Sequence, residues 1–132
     1  MTQSQERLKI LIVDDSPAVT DILSQLCEFL GHDVLSAEDG AQGLTVMETE
    51  TNIDMVFTDY KMPNMDGVEM AKAIKVKHPN MPVILITGSV GVTDSELKFG
   101  GFDAVVQKPF ELMSIAENIA IFFPQFEFPV DG

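Results

Sequence analysis

Leu8-Lys9-Ile10-Leu11-Ile12-Val13-Asp14-Asp15-Ser16-Pro17 packs three signals into ten residues. Leu8 to Val13 is mostly aliphatic, the composition of a strand covered on both faces. Ser16-Pro17 reads as a helix N-cap with proline at the first helical position, where an absent N–H leaves no hydrogen bond unmade. Val19, Ile22, Leu23, Leu26 and Leu30 follow at helical spacing, and Gly31 is a natural stop. Between strand and helix stand two adjacent acids.

The same alternation repeats downstream. Asp33–Ala37 is a weaker strand, and Asp39 can cap a second helix carrying Leu44 and Met47. Met55–Thr58 is a third strand reaching Asp59, and the proline and asparagine of Tyr60–Met65 mark a loop. Asp66 with Glu69 opens a third helix in the manner of a capping box, with Val68, Ala71 and Ile74 on one face. Val83–Ile86 is a fourth strand ending at Thr87. A glycine-containing stretch leads to a short, weakly patterned helix over Thr93–Phe99. Ala104–Val106 is a fifth strand, and the last helix, from Glu111 to Phe123, shows Leu112, Ile115, Ala116 and Ile119. Five aliphatic strands alternating with five helices predict an α/β domain: a parallel sheet whose right-handed crossovers place helices on both faces. The ligand site of such a sheet lies at the carboxyl ends of its strands.

The 132 residues suffice for one domain with a substantial core, and 45% hydrophobic with 22% charged residues is the composition of a folded chain. Lys and Arg number 8 against 21 Asp and Glu, a net charge of −13. So acidic a surface repels phosphate backbones and anionic membranes, which argues against direct nucleic-acid or membrane binding and leaves room for a cation or a basic partner. The single cysteine, Cys27, excludes an internal disulfide and any CxxC motif, and its apolar helical setting predicts burial. The longest unbroken apolar run, Ile119–Phe123, is far below the ~18–20 residues of a membrane span. Residues 1–7 are polar and do not read as a signal peptide, so the expected compartment is the cytoplasm. His32 and His78 each fall near a helix C-terminus, where capping is the expected role.

Functional chemistry gathers after the strands. The first ends in Asp14-Asp15, the third in Asp59, the fourth in Thr87, and the fifth in Lys108-Pro109. In a sheet ordered 2-1-3-4-5 those four strands are consecutive neighbours, so the side chains converge on one rim. Singly, each has an ordinary role open to it: helix-start acid, turn acid, strand-end hydroxyl, solvated ammonium. Together they make a coherent set. Three packed carboxylates repel one another, and Mg²⁺, a hard cation that takes few carboxylates and keeps waters, relieves that repulsion. A carboxylate beside Mg²⁺, faced by an ammonium and a hydroxyl, is arranged to receive a phosphoryl group. No glycine-rich nucleotide loop, P-loop or HExxH motif competes.

The segments ILIVDDSPAV, DMVFTDYKMPNMDGVEM, PVILITG and GGFDAVVQKPF resemble the receiver domain of two-component response regulators over about residues 8–123. The combination is specific: the acidic pair, Asp59 with Pro63 and Gly67 behind it, Thr87, and Lys108-Pro109-Phe110. The resemblance implies a flavodoxin-like (βα)5 doubly wound sandwich with a five-stranded parallel sheet in the order 2-1-3-4-5. It implies a phosphorelay module with Asp59 as phosphoacceptor, taking phosphoryl from a histidine kinase or histidine phosphotransfer protein. Mg²⁺ would be bound directly by Asp15, Asp59 and the backbone carbonyl of Lys61, and by Asp14 through water. Thr87 and Lys108 would contact the phosphoryl group, and the 88–105 face would change for an output partner. Such a module catalyses only its own phosphorylation and dephosphorylation. A cis Lys108-Pro109 bond is also expected.

Three features depart from the family pattern. Val105 stands where an aromatic is usual, Gly88 and Gly91 precede a short fourth helix, and the chain continues as a phenylalanine-rich tail. We therefore expect signal to leave through residues 88–99, and the tail to cover the domain's own apolar surface. The expected organisation is an N-terminal extension over 1–7, the receiver domain over 8–123 and a tail over 124–132. Two other readings fit less well. An Asp-nucleophile phosphatase of the haloacid-dehalogenase type calls for Asp-x-Asp after its first strand, whereas these acids are adjacent. A receiver-like module working without phosphorylation has no use for the intact acidic set and Lys108.

Overall fold

A computed structural model describes residues 7–88 and 93–127. The strands are β1 (Lys9–Val13), β2 (Asp33–Ala37), β3 (Met55–Asp59), β4 (Val83–Thr87) and β5 (Ala104–Gln107). The helices are α1 (Pro17–Phe29), α2 (Gly40–Thr49), α3 (Gly67–Lys77), α4 (Asp94–Gly100) and α5 (Leu112–Phe122), followed by a 3-10 turn at Pro124–Phe126. The five strands run parallel in the order β2-β1-β3-β4-β5, the flavodoxin-like arrangement expected.

Alternation along the central strands divides the core into two layers. Ile10, Ile12, Met55, Phe57, Ile84 and Ile86 face one way and pack with Leu23 and Cys27 of α1 and Ile115 and Ile119 of α5. Leu11, Val13, Val56 and Leu85 face the other way and pack with Met70, Ala71 and Ile74 of α3. Burial on both sides is why these strands read as continuous aliphatic runs. Burial also pushes the Cys27 thiol up to about 12, with the charge of Glu28 adding to the effect.

The helix starts follow the expected chemistry. Ser16 Oγ accepts from Val19 N–H at 3.4 Å, Asp39 from Gln42 N–H at 2.8 Å, and Asp66 from Glu69 N–H at 2.9 Å. The capping box that is complete lies on α4, where Thr93 and Glu96 satisfy each other's backbone N–H groups. Gly31 takes the left-handed φ of 95° just beyond α1. Among the described residues no helix is long and apolar enough to cross a membrane.

Two expectations about side chains come out differently from each other. His78 occupies the C-cap of α3, as expected near a helix end. The His32 backbone N–H does cap α1, donating to the Cys27 carbonyl at 3.1 Å beside the Gly31 N–H bond to Glu28, but the imidazole does not serve the helix end. It is buried at the foot of the sheet, where Nδ1 accepts from Leu8 N–H at 3.0 Å and the ring meets Phe126 edge-on at 4.7 Å between centroids. The parallel sheet leaves the Leu8 amide beneath β1 without a strand partner, and the imidazole supplies the acceptor. Phe122, Phe123 and Phe126 pack against the layer shared by α1 and α5, so these three cover the domain's own surface. Phe128 lies outside the described residues.

Candidate functional site

The rim at the strands' carboxyl ends is built by short-range geometry. β1 stops at Val13, and Asp14 N–H reaches the Ala37 carbonyl at 3.1 Å, so the acidic pair starts at the sheet edge itself. The Asp14 carboxylate turns inward and accepts from Ser16 N–H at 2.8 Å; the residue is only 2% exposed. Asp15 is exposed, and Asp59, the last residue of β3, is half-buried. Carboxylate oxygens of Asp14, Asp15 and Asp59 lie within 4.8 Å of one another.

Lys108 reaches this cluster from β5. Its N–H donates to the Thr87 carbonyl at 2.7 Å, and the bond to Pro109 is cis, as expected. Its Nζ stands 3.5 Å from Asp14 Oδ2 and 3.7 Å from Asp59 Oδ2. Burial raises the Asp14 pKa and the Asp59 charge adds to that, against the opposing pull of Ser16 N–H and Lys108. Burial and the neighbouring charge together outweigh what the Ser16 N–H and the ammonium supply.

The loop after β3 is held against the site. Tyr60 N–H donates to Asp59 Oδ1 at 2.8 Å, and Gly67 N–H closes onto the Tyr60 carbonyl at 2.8 Å. A Cβ on Gly67 would strike the Asp59 carbonyl oxygen, so only glycine lets the start of α3 sit this close. Thr87, buried at the end of β4, borders the same cavity of about 890 Å³ as Asp59 and Lys61, which continues between α3 and α4 past Val68 and Phe99. Asp14, Asp15, Asp59 and Lys108 are thus brought into one cluster, with Thr87 and Lys61 on the adjoining cavity wall. Three hard carboxylate oxygen donors around one point, one of them buried, are a donor set suited to Mg²⁺.

One pair at the edge of the site has no counterpart in the sequence reading. Asn64 Nδ2 donates to Asp39 Oδ2 at 2.8 Å, joining the loop after β3 to the start of α2. Asp39 was legible only as a helix cap and Asn64 only as a turn residue.

Fold and rim together define a receiver domain. Residues 10–120 match the family model of the response regulator receiver domain, and the chain belongs to that family. It is 32% identical over 117 residues to a chemotaxis protein CheY homolog of Campylobacter jejuni, covering 85% of this chain and 89% of that one. A response regulator receiver domain protein from Clostridium thermocellum superposes with a TM-score of 0.79 at 30% identity, over 89% of this chain and 95% of the other. The response regulator protein TrrA from Thermotoga maritima, solved in complex with Mg(2+)-BeF, gives 0.78 at 29% identity over 87% and 98%. The chain is accordingly a signalling domain of two-component systems.

Proposed function

We propose that Asp59 accepts a phosphoryl group from a phosphohistidine on a histidine kinase or histidine phosphotransfer protein. A bond forms between an Asp59 carboxylate oxygen and phosphorus, the donor's P–N bond breaks, and the departing imidazole takes a proton from water. Asp15, Asp59 and the Lys61 carbonyl would hold Mg²⁺ directly, and Asp14 through water. When bound, the ion supplies positive charge for the phosphoryl oxygens. The Lys108 ammonium and the Thr87 hydroxyl meet the same oxygens from the β4–β5 side. The domain turns over no outside substrate: it catalyses only its own phosphorylation and dephosphorylation. Residues 8–123 form the working unit, operating in the cytoplasm, and the 88–105 face changes for an output partner.

The observation supporting this reading is the Lys108 ammonium poised between Asp14 and Asp59 at 3.5 and 3.7 Å. An ammonium there serves both to neutralise the carboxylates and to receive an anion delivered to Asp59. The test is intact-protein mass spectrometry after incubation with a small acyl phosphate and Mg²⁺. Wild type is expected to gain one phosphoryl group and Asp59→Asn none. Equal gain by the Asp59→Asn variant overturns the assignment.

A further inference from the structure

The loop carrying Lys61 is tied to a helix that contributes nothing to the rim. Each oxygen of the Asp39 carboxylate has its own partner: Oδ1 accepts from Gln42 N–H in α2, and Oδ2 from the Asn64 amide in the loop, both at 2.8 Å. The residue is buried, and these two donors, the Gln42 amide first, hold its pKa below the usual carboxylate range. The link is therefore a charge-assisted hydrogen bond from an exposed amide to a buried carboxylate. Beside it, Gly40 N–H donates to the Met65 carbonyl at 3.1 Å, and a Cβ on Gly40 would come within 2.6 Å of that oxygen. Asn64 itself takes the left-handed φ of 68° that asparagine tolerates. The loop is thus fixed at one end by α2 and closed at the other by Gly67 N–H on Tyr60, with Lys61 between.

We infer that Asp39 and Asn64 are positioning residues: their bond presets the loop after β3, and with it the Lys61 carbonyl, before any cation arrives. This rests on the proposed roles of Lys61 and Asp59 in holding Mg²⁺. A donor already in place spares the binding step the ordering of its loop, and groups that orient metal ligands from behind contribute strongly to affinity.

The test is calorimetric titration of Mg²⁺ into the whole protein, paired with amide hydrogen exchange at Gly40 in metal-free buffer. Asn64→Gly deletes the amide yet keeps the left-handed backbone accessible, and the site is exposed enough for the variant to fold. The expected result is roughly tenfold weaker Mg²⁺ binding with faster Gly40 exchange. The double variant Asp39→Asn/Asn64→Asp exchanges donor and acceptor across the same gap and is expected to recover most of the lost affinity. A merely structural role would lower the denaturation midpoint and leave Mg²⁺ affinity where it was. Unchanged affinity in Asn64→Gly, or a double variant no better than the single one, overturns the inference. Asp59→Asn is the control: full Mg²⁺ affinity there would overturn the site assignment instead, whatever Asn64→Gly does.

Discussion

The backbone N–H of Leu8 donates to Nδ1 of His32 over 3.0 Å, across a gap of 24 residues in sequence. An accepting Nδ1 fixes the neutral ring with its proton on Nε2. Burial holds the His32 pKa below its ordinary value and Arg7 acts the same way, while Asp33 and Asp54 pull against them. The folded pKa is thus lower than the unfolded one of about 6.5, and as pH falls the unfolded chain takes up the proton first. His32 leaves stability untouched well above about pH 6.5 and subtracts from it progressively below, until the ring protonates within the fold as well. Urea denaturation between about pH 7.5 and 5 is expected to show a steeper loss in wild type than in His32→Ala. At neutral pH the same variant should be less stable by about 2–3 kcal/mol, from the stranded Leu8 amide and the lost Phe126 contact. A parallel pH profile in the two proteins would contradict this assignment.

Gly67 and Gly88 flank the site and should respond oppositely to one methyl group. At Gly67 the new Cβ meets the Asp59 carbonyl, whereas at Gly88 nothing lies within 4 Å. Gly67→Ala is expected to lose about 2–3 kcal/mol of stability and to slow phosphorylation of Asp59, with Gly88→Ala close to wild type in stability. Denaturation midpoints and the rate of phosphoryl uptake check both. Equal behaviour of the two variants would refute the close approach at Gly67.

Phe57 stands two residues before Asp59 and is fully buried in the layer under α1 and α5. Phe57→Ala is expected to cost about 3–5 kcal/mol. Val76→Ala, at a position 82% exposed, should change stability by no more than about 0.5 kcal/mol. Chemical denaturation of both variants measures the contrast.

Signal is expected to leave through residues 88–99. Val105, half-buried on β5, has a stiff branched side chain and no ring to exchange between interior and surface. α4 is one short helix, with Phe99 77% exposed beneath the Lys72 ammonium, which lies 4.4 Å from its ring centroid. Beryllofluoride with Mg²⁺ should alter hydrogen exchange across 88–99. Unaltered protection there, with the change elsewhere, would rule out this route.

Strand order and rim were legible because they are written locally: aliphatic runs buried on both faces, each followed by its polar residue. α4 was only half legible. Its Thr93-x-x-Glu96 cap is a sequence signal, but the helix lacks the apolar period that usually accompanies one. For His32 the capping role holds for the backbone N–H, but the role of the imidazole was not legible, for a different reason. Its partner is the Leu8 amide, made available only when β1 and the segment entering β2 come side by side. The Asp39–Asn64 bond was hidden likewise, since 25 residues separate its ends. The 3-10 turn at Pro124–Phe126 depends on the apolar layer that Phe126 covers, which no local pattern announces.

Cys27 gives this domain an internal gauge of its own opening. The only thiol in the chain has no exposed surface and is pushed up to about 12, so it has neither access nor thiolate character while the fold is closed. Alkylation can proceed only from molecules in which the α1 layer has come apart. Where reclosing outpaces the reagent, labelling speed reads the free energy of that opening; at high reagent concentration it reads the opening rate itself. No engineered probe is required, and every substitution discussed above can be ranked by one chemical reaction.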